Sequence, residues 1–235
     1  MDTAHRHNPQ AHMLLHSADS GRPPAPPLEL NSDFGALDGD ARRLVERRYG
    51  GRGLAIGPER FSSRRRDGDI VCTAHEGERA VATLTVRFDG IGGLNADLLF
   101  HAELARWRAI GVRLCEFGSL AVDEQARDPK RLLAQIFHLA YLHAHRRADC
   151  QRGVIEVHPR HVAFYRRLLG LLPYSTTRHN PRVDAPAVLM SFEFAAVRGQ
   201  IALWGGRPEL LPQARCLYPL AWGRAAEDAM LASLG

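Results

Sequence analysis

The sequence predicts an α/β (α+β) fold, in which a central mixed sheet carries helices on both faces. Three patterns lead to this class. Two early segments lie on either side of a short turn, and the second alternates apolar and polar residues, which is typical of neighbouring antiparallel strands. Helical patterns then alternate with single strands, as crossover connections require. A buried strand also runs through a proline directly into a short amphipathic helix over residues 153–170.

The elements before residue 123 are assigned from alternation and from chain breakers. Apolar residues have helical spacing over 33–49, and Gly50-Gly51 ends that helix. A turn at 75–78 separates two strands. The second strand places its even-numbered residues from 82 to 88 on one face and Arg87 on the other. The assigned elements are a helix at 33–49, strands at 70–74 and 80–88, a helix at 94–110 and a strand at 114–122.

The later elements are marked by β-branched residues, proline and glycine. A strand with Val154 and Ile155 must end by His158, because Pro159 cannot donate to a ladder. The helix that follows has one apolar stripe, and Gly170 suits a left-handed cap. The later elements are a helix at 129–147, this strand, the helix ending at Gly170, a strand at 187–194 and a helix at 223–234.

Composition divides the chain into three parts. Residues 1–32 are rich in His, Pro and Ala, and we expect a disordered tail there. Residues 33–194 form the predicted domain. Residues 195–235 form a C-terminal extension that we expect to pack back on the domain.

The overall composition indicates a soluble globular protein. Hydrophobic residues make up 45% of the chain and charged residues 24%. No apolar run approaches the ~20 residues that span a bilayer. Residues 1–20 lack the order of a signal peptide, so we expect a cytoplasmic protein that is not an integral membrane protein. The four cysteines are scattered without a Cys-x-x-Cys pair, so we expect no metal and no disulfide framework.

The net charge of +5 comes almost wholly from arginine, since Lys130 is the only lysine. The arginines are dispersed, and no nucleic-acid-binding motif accompanies them, so we expect no nucleic-acid partner. Two interpretations remain open. The arginines belong to solvated faces, or they steer an acidic protein partner to the surface.

Two strands carry acidic residues that suit catalysis. Glu116 lies in an otherwise apolar strand, where burial raises the pKa of a carboxyl and suits it to act as a general base. A structural salt bridge with an arginine explains it equally well. Glu156 and His158 alternate onto one face of their strand, so both side chains can point into one cleft. A structural role for His158 is the alternative.

Two stretches of sequence resemble one enzyme family. The segment from Gly153 to Gly170 and the run Arg178-His-Asn-Pro-Arg-Val-Asp resemble the N-acyl amino acid synthases. These are relatives of the Gcn5-type N-acetyltransferases (GNAT) and of the acyl-homoserine-lactone synthases. The strand Glu116-Phe-Gly-Ser-Leu-Ala-Val is similar to the family's Glu-x-Ser-Arg-Leu-Ala-Val, with Gly118 and Ser119 replacing Ser and Arg.

The resemblance implies a fold, an activity and roles for residues. The fold is the GNAT-like acyl-CoA N-acyltransferase fold, and the activity is N-acylation of an amino acid by a long-chain fatty acyl group. Glu116 is then the general base. Apart from the resemblance, Arg87 is expected to bind the acceptor's carboxylate or a neighbouring acid, because guanidinium groups bind carboxylates through two hydrogen bonds, and an arginine that reaches solvent from the strand edge explains it equally well. Further substrate contacts are expected from Ser119, Glu156, His158 and Tyr165, the last as a donor to the leaving thiolate.

The resemblance also bears on the acyl donor. GNAT acetyltransferases cradle the coenzyme A pyrophosphate in a glycine-containing loop after the Glu116-type strand. Here that loop is Asp123-Glu-Gln-Ala-Arg-Asp-Pro-Lys130, with no glycine and several acids. This favours a thioester on the phosphopantetheine of acyl carrier protein, with no tightly bound cofactor. Two alternatives remain: an acyl-CoA-dependent GNAT N-acetyltransferase, and a non-catalytic binding module on the same fold.

Overall fold

A sheet with helices on both faces forms the body of the protein. The computed structural model describes residues 28–34, 39–50 and 68–234. Within these residues the strands are β1 (Leu28–Phe34), β2 (Ile70–Glu76), β3 (Arg79–Phe88), β4 (Leu114–Val122), β5 (Arg152–Val157), β6 (Leu172–Pro173), β7 (Arg178–Asn180) and β8 (Ala185–Glu193). The α-helices are α1 (Gly39–Gly50), α2 (Asp97–Ala109), α3 (Pro129–Tyr141), α4 (Val162–Leu169), α5 (Phe194–Trp204), α6 (Leu211–Ala214) and α7 (Arg224–Ser233).

The sheet is mixed, as predicted. Its order is β1-β2-β3-β4-β5-β8-β6, and β7 also pairs with β8. The pairing of β4 with β5 is parallel, and the other pairs are antiparallel. The parallel pair is short, since it runs only from Leu114↔Arg152 to Glu116↔Val154. Beyond Glu116 the two strands therefore lose contact, and the sheet opens at its middle.

Alternation along the strands builds a separate core on each face. Leu114 and Val154 pack with α2 on one face. Their neighbours Cys115 and Ile155 pack with α3 on the other. Helix α1 covers β2, β3 and β4 on the α2 face, through Leu44 and its neighbours. The prediction of helices on both faces is confirmed.

The N-terminal boundary differs from the prediction. Residues 28–32 were expected in a disordered tail and 33–49 in a helix, but β1 covers 28–34 and α1 begins at Gly39. Leu28 and Leu30 pack against the main core while β1 pairs with β2. The preceding prolines masked this short alternation in the sequence. The rest of the expected tail, residues 1–27, lies outside the described residues, as do 64–67 of the loop before β2.

The junction between β5 and α4 follows the prediction closely. Strand β5 ends at Val157, Pro159 opens a 3₁₀ turn, and α4 ends at Gly170 with φ +73°. Gly153 is needed for packing, because a Cβ atom there would lie 2.2 Å from the ring of Phe192. This contact holds β5 close to β8.

Three other segments depart from the prediction. Helix α3 stops at Tyr141 and continues as a π-helical turn over Leu142–Arg147. Helix α2 begins at Asp97 rather than at residue 94, and the Asp97 carboxylate accepts from the Leu94 N–H at 2.7 Å, which holds the preceding turn against the start of the helix. The strand predicted at 187–194 is β8, which is followed directly by the unpredicted helix α5.

The C-terminal segment contacts the sheet and α3. Tyr218 is buried in the main core, and its hydroxyl donates to the Leu169 carbonyl at 2.9 Å. The Trp222 N–H donates to Nδ1 of His138 on α3 at 3.1 Å. The domain boundary at residue 194 stays a prediction. Among the described helices, none is long and apolar enough to cross a membrane.

Candidate active site

One cavity brings together all six residues that the sequence singled out. It has a volume of about 560 Å³ and lies where β4 and β5 separate beyond Glu116. Its position follows from the short parallel pairing, because a splayed strand pair leaves room that side chains from both strands must line. The six residues are Arg87, Glu116, Ser119, Glu156, His158 and Tyr165.

Glu116 sits at the inner end of this cavity. Its residue is 5% exposed, and Oε2 accepts from the N–H groups of Asn95 at 2.5 Å and Ala96 at 3.1 Å. These two residues immediately precede α2, so the start of that helix holds the carboxylate in place. Two main-chain donors on one oxygen leave Oε1 available to face a reactant.

The electrostatics of the cavity raise the pKa of Glu116 to about 7. Burial contributes most, and the negative charge of Glu156 adds to it. The Ala96 N–H and the positive charges of Arg182 and Arg87 act in the opposite direction. A carboxyl with a pKa near 7 exchanges protons readily at neutral pH, as a general base must.

Arg87 is engaged with protein groups. Its Nε donates to Oδ1 of Asp69 at 3.1 Å and its Nη2 to Oδ2 at 2.5 Å, while Nη1 donates to the side chain of Asn95. Of the two partners expected for Arg87, the neighbouring acid is the one observed. Asp69 thus holds Arg87, which holds Asn95, whose N–H binds Glu116. Arg87 is therefore placed to position the carboxylate.

Glu156 belongs to a second polar cluster on the cavity wall. It accepts from the side-chain amide of Asn180 and from Nη2 of Arg182 at 3.3 Å. Burial raises the pKa of Glu156, although the charge of Arg182 and the Asn180 hydrogen bond partly offset this. Asn180 and Arg182 line the cavity, and the sequence reasoning assigned them no role. The sequence did contain a signal for them, since both lie in the run from Arg178 that resembles the N-acyl amino acid synthases.

Ser119 lies in a β-bulge of β4. Thr85 pairs with Gly118 and Thr83 with Ala121, so two residues of β4 oppose a single residue of β3. Ser119 has φ +49°, a left-handed conformation that few residues other than glycine adopt. The residues of this bulge, from Gly118 to Leu120, line the cavity. A Cβ added at Gly118 would meet no atom within 4 Å, so the departure from the family's Ser leaves open space.

The mouth of the cavity is formed by the turn before α4. Nδ1 of His158 accepts from the Arg160 N–H at 3.2 Å, which caps this turn. His158 therefore has the structural role that was one of its two alternatives, and it also lines the cavity. Tyr165 is half-buried beside it.

Acidic side chains accept main-chain N–H groups in the loop between β4 and α3 and in the first turn of α3. They accept the N–H groups of Gln125 at 2.9 Å, Arg127 at 3.3 Å and Arg131 at 3.0 Å. A pyrophosphate bound here would have to displace these carboxylates and would meet their charge. Asp123 of the loop accepts from Gln125, Glu76 of β2 accepts from Arg127, and Asp128 before α3 accepts from Arg131.

A family model described as N-acyl amino acid synthase FeeM matches residues 40–193. The chain belongs to this family. The match covers the sheet from α1 to β8 and therefore the whole lining of the cavity. As an N-acyl amino acid synthase, the chain is an N-acyltransferase, and the non-catalytic alternative is set aside.

Solved structures agree with this family and fold. The structure of FeeM, an N-acyl amino acid synthase from uncultured soil microbes, is 26% identical and has a TM-score of 0.63, covering 73% of this chain and 94% of that one. An acyl-CoA N-acyltransferase from Pseudomonas aeruginosa is 15% identical over 70% of this chain and 99% of its own, with a TM-score of 0.50. The AHL synthase LasI is 13% identical over 71% and 90%, also with a TM-score of 0.50. The last two show the GNAT-like fold alone. No curated protein matches the sequence.

The described residues contain no group of three or more His, Cys, Asp or Glu side chains that could hold a metal ion. The four cysteines are free thiols, and Cys72 and Cys115 are buried in the core.

Proposed function

We propose that the protein transfers a long-chain fatty acyl group from the thioester of acyl carrier protein to the α-amine of an amino acid. The observation that carries this proposal is the position of Glu116. Its buried carboxyl, with a pKa near 7, faces a cavity at the splayed end of the β4–β5 pair, in a chain of the N-acyl amino acid synthase family.

The proposed reaction needs one base and no covalent enzyme intermediate. Glu116 takes a proton from the acceptor's amine, directly or through a water. The amine nitrogen then attacks the thioester carbonyl carbon, which becomes a tetrahedral oxyanion. Main-chain N–H groups of the β4 bulge around Ser119, which lines the cavity, are the proposed donors to that oxyanion.

Collapse of the intermediate completes the transfer. The carbon–sulfur bond breaks, the N-acyl amino acid forms, and the thiolate of the phosphopantetheine leaves. Tyr165, on the cavity wall, is the proposed donor of the proton that converts this thiolate to a thiol. Glu116 then returns its proton to solvent and the Tyr165 phenolate takes one up, so both side chains are restored and the net reaction moves one proton from the amine to the thiol.

The loop between β4 and α3 supports acyl carrier protein over coenzyme A as the acyl donor. Carboxylates accept two of its N–H groups and a third in the first turn of α3, so this loop is poorly suited to a pyrophosphate. The cavity mouth offers a different surface. Arg160, Arg166 and Arg167 are exposed on and just before α4, and Phe164 beside them is 42% exposed. A basic surface of this kind complements an acidic carrier protein.

The acyl chain requires an apolar site next to Glu116. Phe117 and Phe137 line the main cavity and also a small apolar void of about 30 Å³ between α3, α5 and the C-terminal segment. These two rings therefore lie between the two spaces. We propose that they move to admit the chain into this part of the core.

The decisive experiment expresses the protein in a bacterial host and identifies new lipids by mass spectrometry. New long-chain N-acyl amino acids are expected from the wild type and none from E116Q. The exposed substitution E209Q serves as a matched control and should leave product formation unchanged. Product formation by E116Q at the wild-type rate would remove Glu116 from the mechanism.

The donor is tested with purified protein and matched thioesters. Equal acyl chains are offered on acyl carrier protein and on coenzyme A, and faster turnover is expected with the carrier protein. Saturable turnover with acetyl-coenzyme A and none with acyl carrier protein would instead establish the CoA-dependent N-acetyltransferase, the second candidate.

A further inference from the structure

The cavity contains three arginines, and their environments differ. The side chain of Arg87 is 7% exposed and is bound by Asp69 and Asn95. Arg160 is exposed at the mouth, and its Nε is directed at His161. The side chain of Arg182 is 28% exposed and lines the cavity itself. Of the three, Arg182 combines access to a ligand with a position on the inner wall.

The chain fixes Arg182 from two sides. Its N–H donates to the side-chain oxygen of Asn180 at 2.8 Å, which closes the turn between β7 and β8. Its Nη2 donates to Glu156 at 3.3 Å. Asn180 is 1% exposed and also donates to Glu156, so the three residues form one unit. A guanidinium held in this way presents a fixed set of donors to the cavity.

The charge of Arg182 reaches the catalytic carboxyl. The pKa values of Glu116 and Glu156 are both raised, and the positive charge of Arg182 partly offsets each rise. Arg182 therefore lies within electrostatic range of both groups. An α-amino acid carries its carboxylate on the carbon next to the one amine that reacts. When the amine is at Glu116, the carboxylate must lie only a few ångströms away.

We propose that Arg182 binds the α-carboxylate of the acceptor amino acid, and that Glu156 and Asn180 position its guanidinium for this contact. The inference rests on the proposed function, because it takes Glu116 as the base at which the amine reacts. It replaces Arg87, the residue expected from the sequence, whose guanidinium binds Asp69. Guanidinium groups bind carboxylates through two parallel hydrogen bonds, which gives orientation as well as affinity.

The test compares an amino acid with its primary amide, which has the same side chain and amine but no carboxylate. The ratio of kcat/KM for the acid to kcat/KM for the amide is measured with one acyl donor. Wild type is expected to prefer the acid by about tenfold or more, the usual effect of hydrogen bonds to a charged group. R182Q should bring this ratio close to one, mainly through a higher KM for the acid, and R182K should fall between the two.

R178Q is the matched control. Arg178 lies on β7, just before the turn that carries Arg182, and it binds Glu103 outside the cavity, so its variant should keep the wild-type ratio. The ratio is measured within one sample, so partial loss of folded protein lowers both rates equally and does not change it. If R182Q does not fold, the wild-type preference and the R182K value still decide.

The outcomes separate this inference from the proposed function. A wild type that acylates the acid and the amide equally, or an R182Q variant that keeps the full preference, would overturn the contact with Arg182 and leave the acyltransferase intact. A wild type that acylates neither acceptor with any donor would overturn the proposed function, and the inference with it.

Discussion

Replacing Glu116 with Gln should stabilise the protein above pH 7 while removing the proposed base. The pKa of this carboxyl is about 7 in the folded protein against an ordinary value of 4.5, chiefly because of burial. A pKa difference of one corresponds to about 1.4 kcal/mol. Ionised Glu116 therefore costs the folded state about 3 kcal/mol relative to the unfolded chain. Gln is uncharged, and its side-chain oxygen can still accept from Asn95 and Ala96.

The effect has a definite pH dependence. Folding raises this pKa, so the stability contributed by the protonated carboxyl is complete below pH 4.5 and is lost as the pH rises through 7. The difference in free energy of unfolding between E116Q and wild type should grow by about 3 kcal/mol over this range. For a chain of this size, that corresponds to roughly 6–12 °C in Tm. Urea denaturation at pH 5 and pH 8, followed by tryptophan fluorescence, measures it.

Glu103 supplies a control of opposite sign. It is 8% exposed, and although burial alone would raise its pKa, the hydrogen bonds and charge of Arg178 lower it. Its stabilisation is present above the ordinary pKa of 4.5 and is lost towards acid. E103Q should therefore be less stable than wild type at pH 8 and approach it in acid.

Two outcomes would refute the raised pKa of Glu116. One is an E116Q variant that is no more stable than wild type at pH 8, and the other is an advantage of E116Q that is as large at pH 5 as at pH 8.

Two further substitutions test the network around the base. E156Q removes the negative charge that helps to raise the pKa of Glu116, so the acid limb of the pH profile of kcat/KM should move below pH 7; an unmoved limb would show that burial alone sets this pKa. D69N leaves the buried charge of Arg87 without its carboxylate and should cost about 3–5 kcal/mol in urea denaturation. The exposed control D184N should cost less than about 1 kcal/mol, and equal losses for the two variants would contradict the assignment.

Much of the sheet could be predicted because its strands show side-chain alternation or end at a residue that cannot continue a strand. Alternation in β3 and the proline after β5 located these elements to within a few residues. Strand β1 was missed because its alternation covers only a few residues after a proline-rich stretch. Helix α5 was missed because its residues are largely apolar without a polar face, so the sequence shows no clear helical period.

The cavity residues that were predicted lie on strands or on the segment that runs from β5 into α4. Glu156 and His158 share a face through strand alternation, which a sequence displays directly. Asp69, Asn95 and Arg182 come from segments beside strands and helices, and their contacts depend on the register of β3 with β4 and on the start of α2. Tertiary pairing sets these positions, so the true partner of Arg87 could not be read from spacing.

The charges around the cavity favour a zwitterionic acceptor. Asp69 and Arg87 neutralise each other, and Glu156 faces Arg182. Glu116 has no ion-pair partner within the described part of the chain, and its main-chain donors do not prevent its pKa from rising to about 7. An ammonium group arriving there meets a negative charge and a base, while a carboxylate one carbon away meets Arg182. A simple amine would gain the first contact and lose the second. The cavity can therefore select an amino acid from a pool of amines while using one and the same carboxylate for attraction and for proton removal.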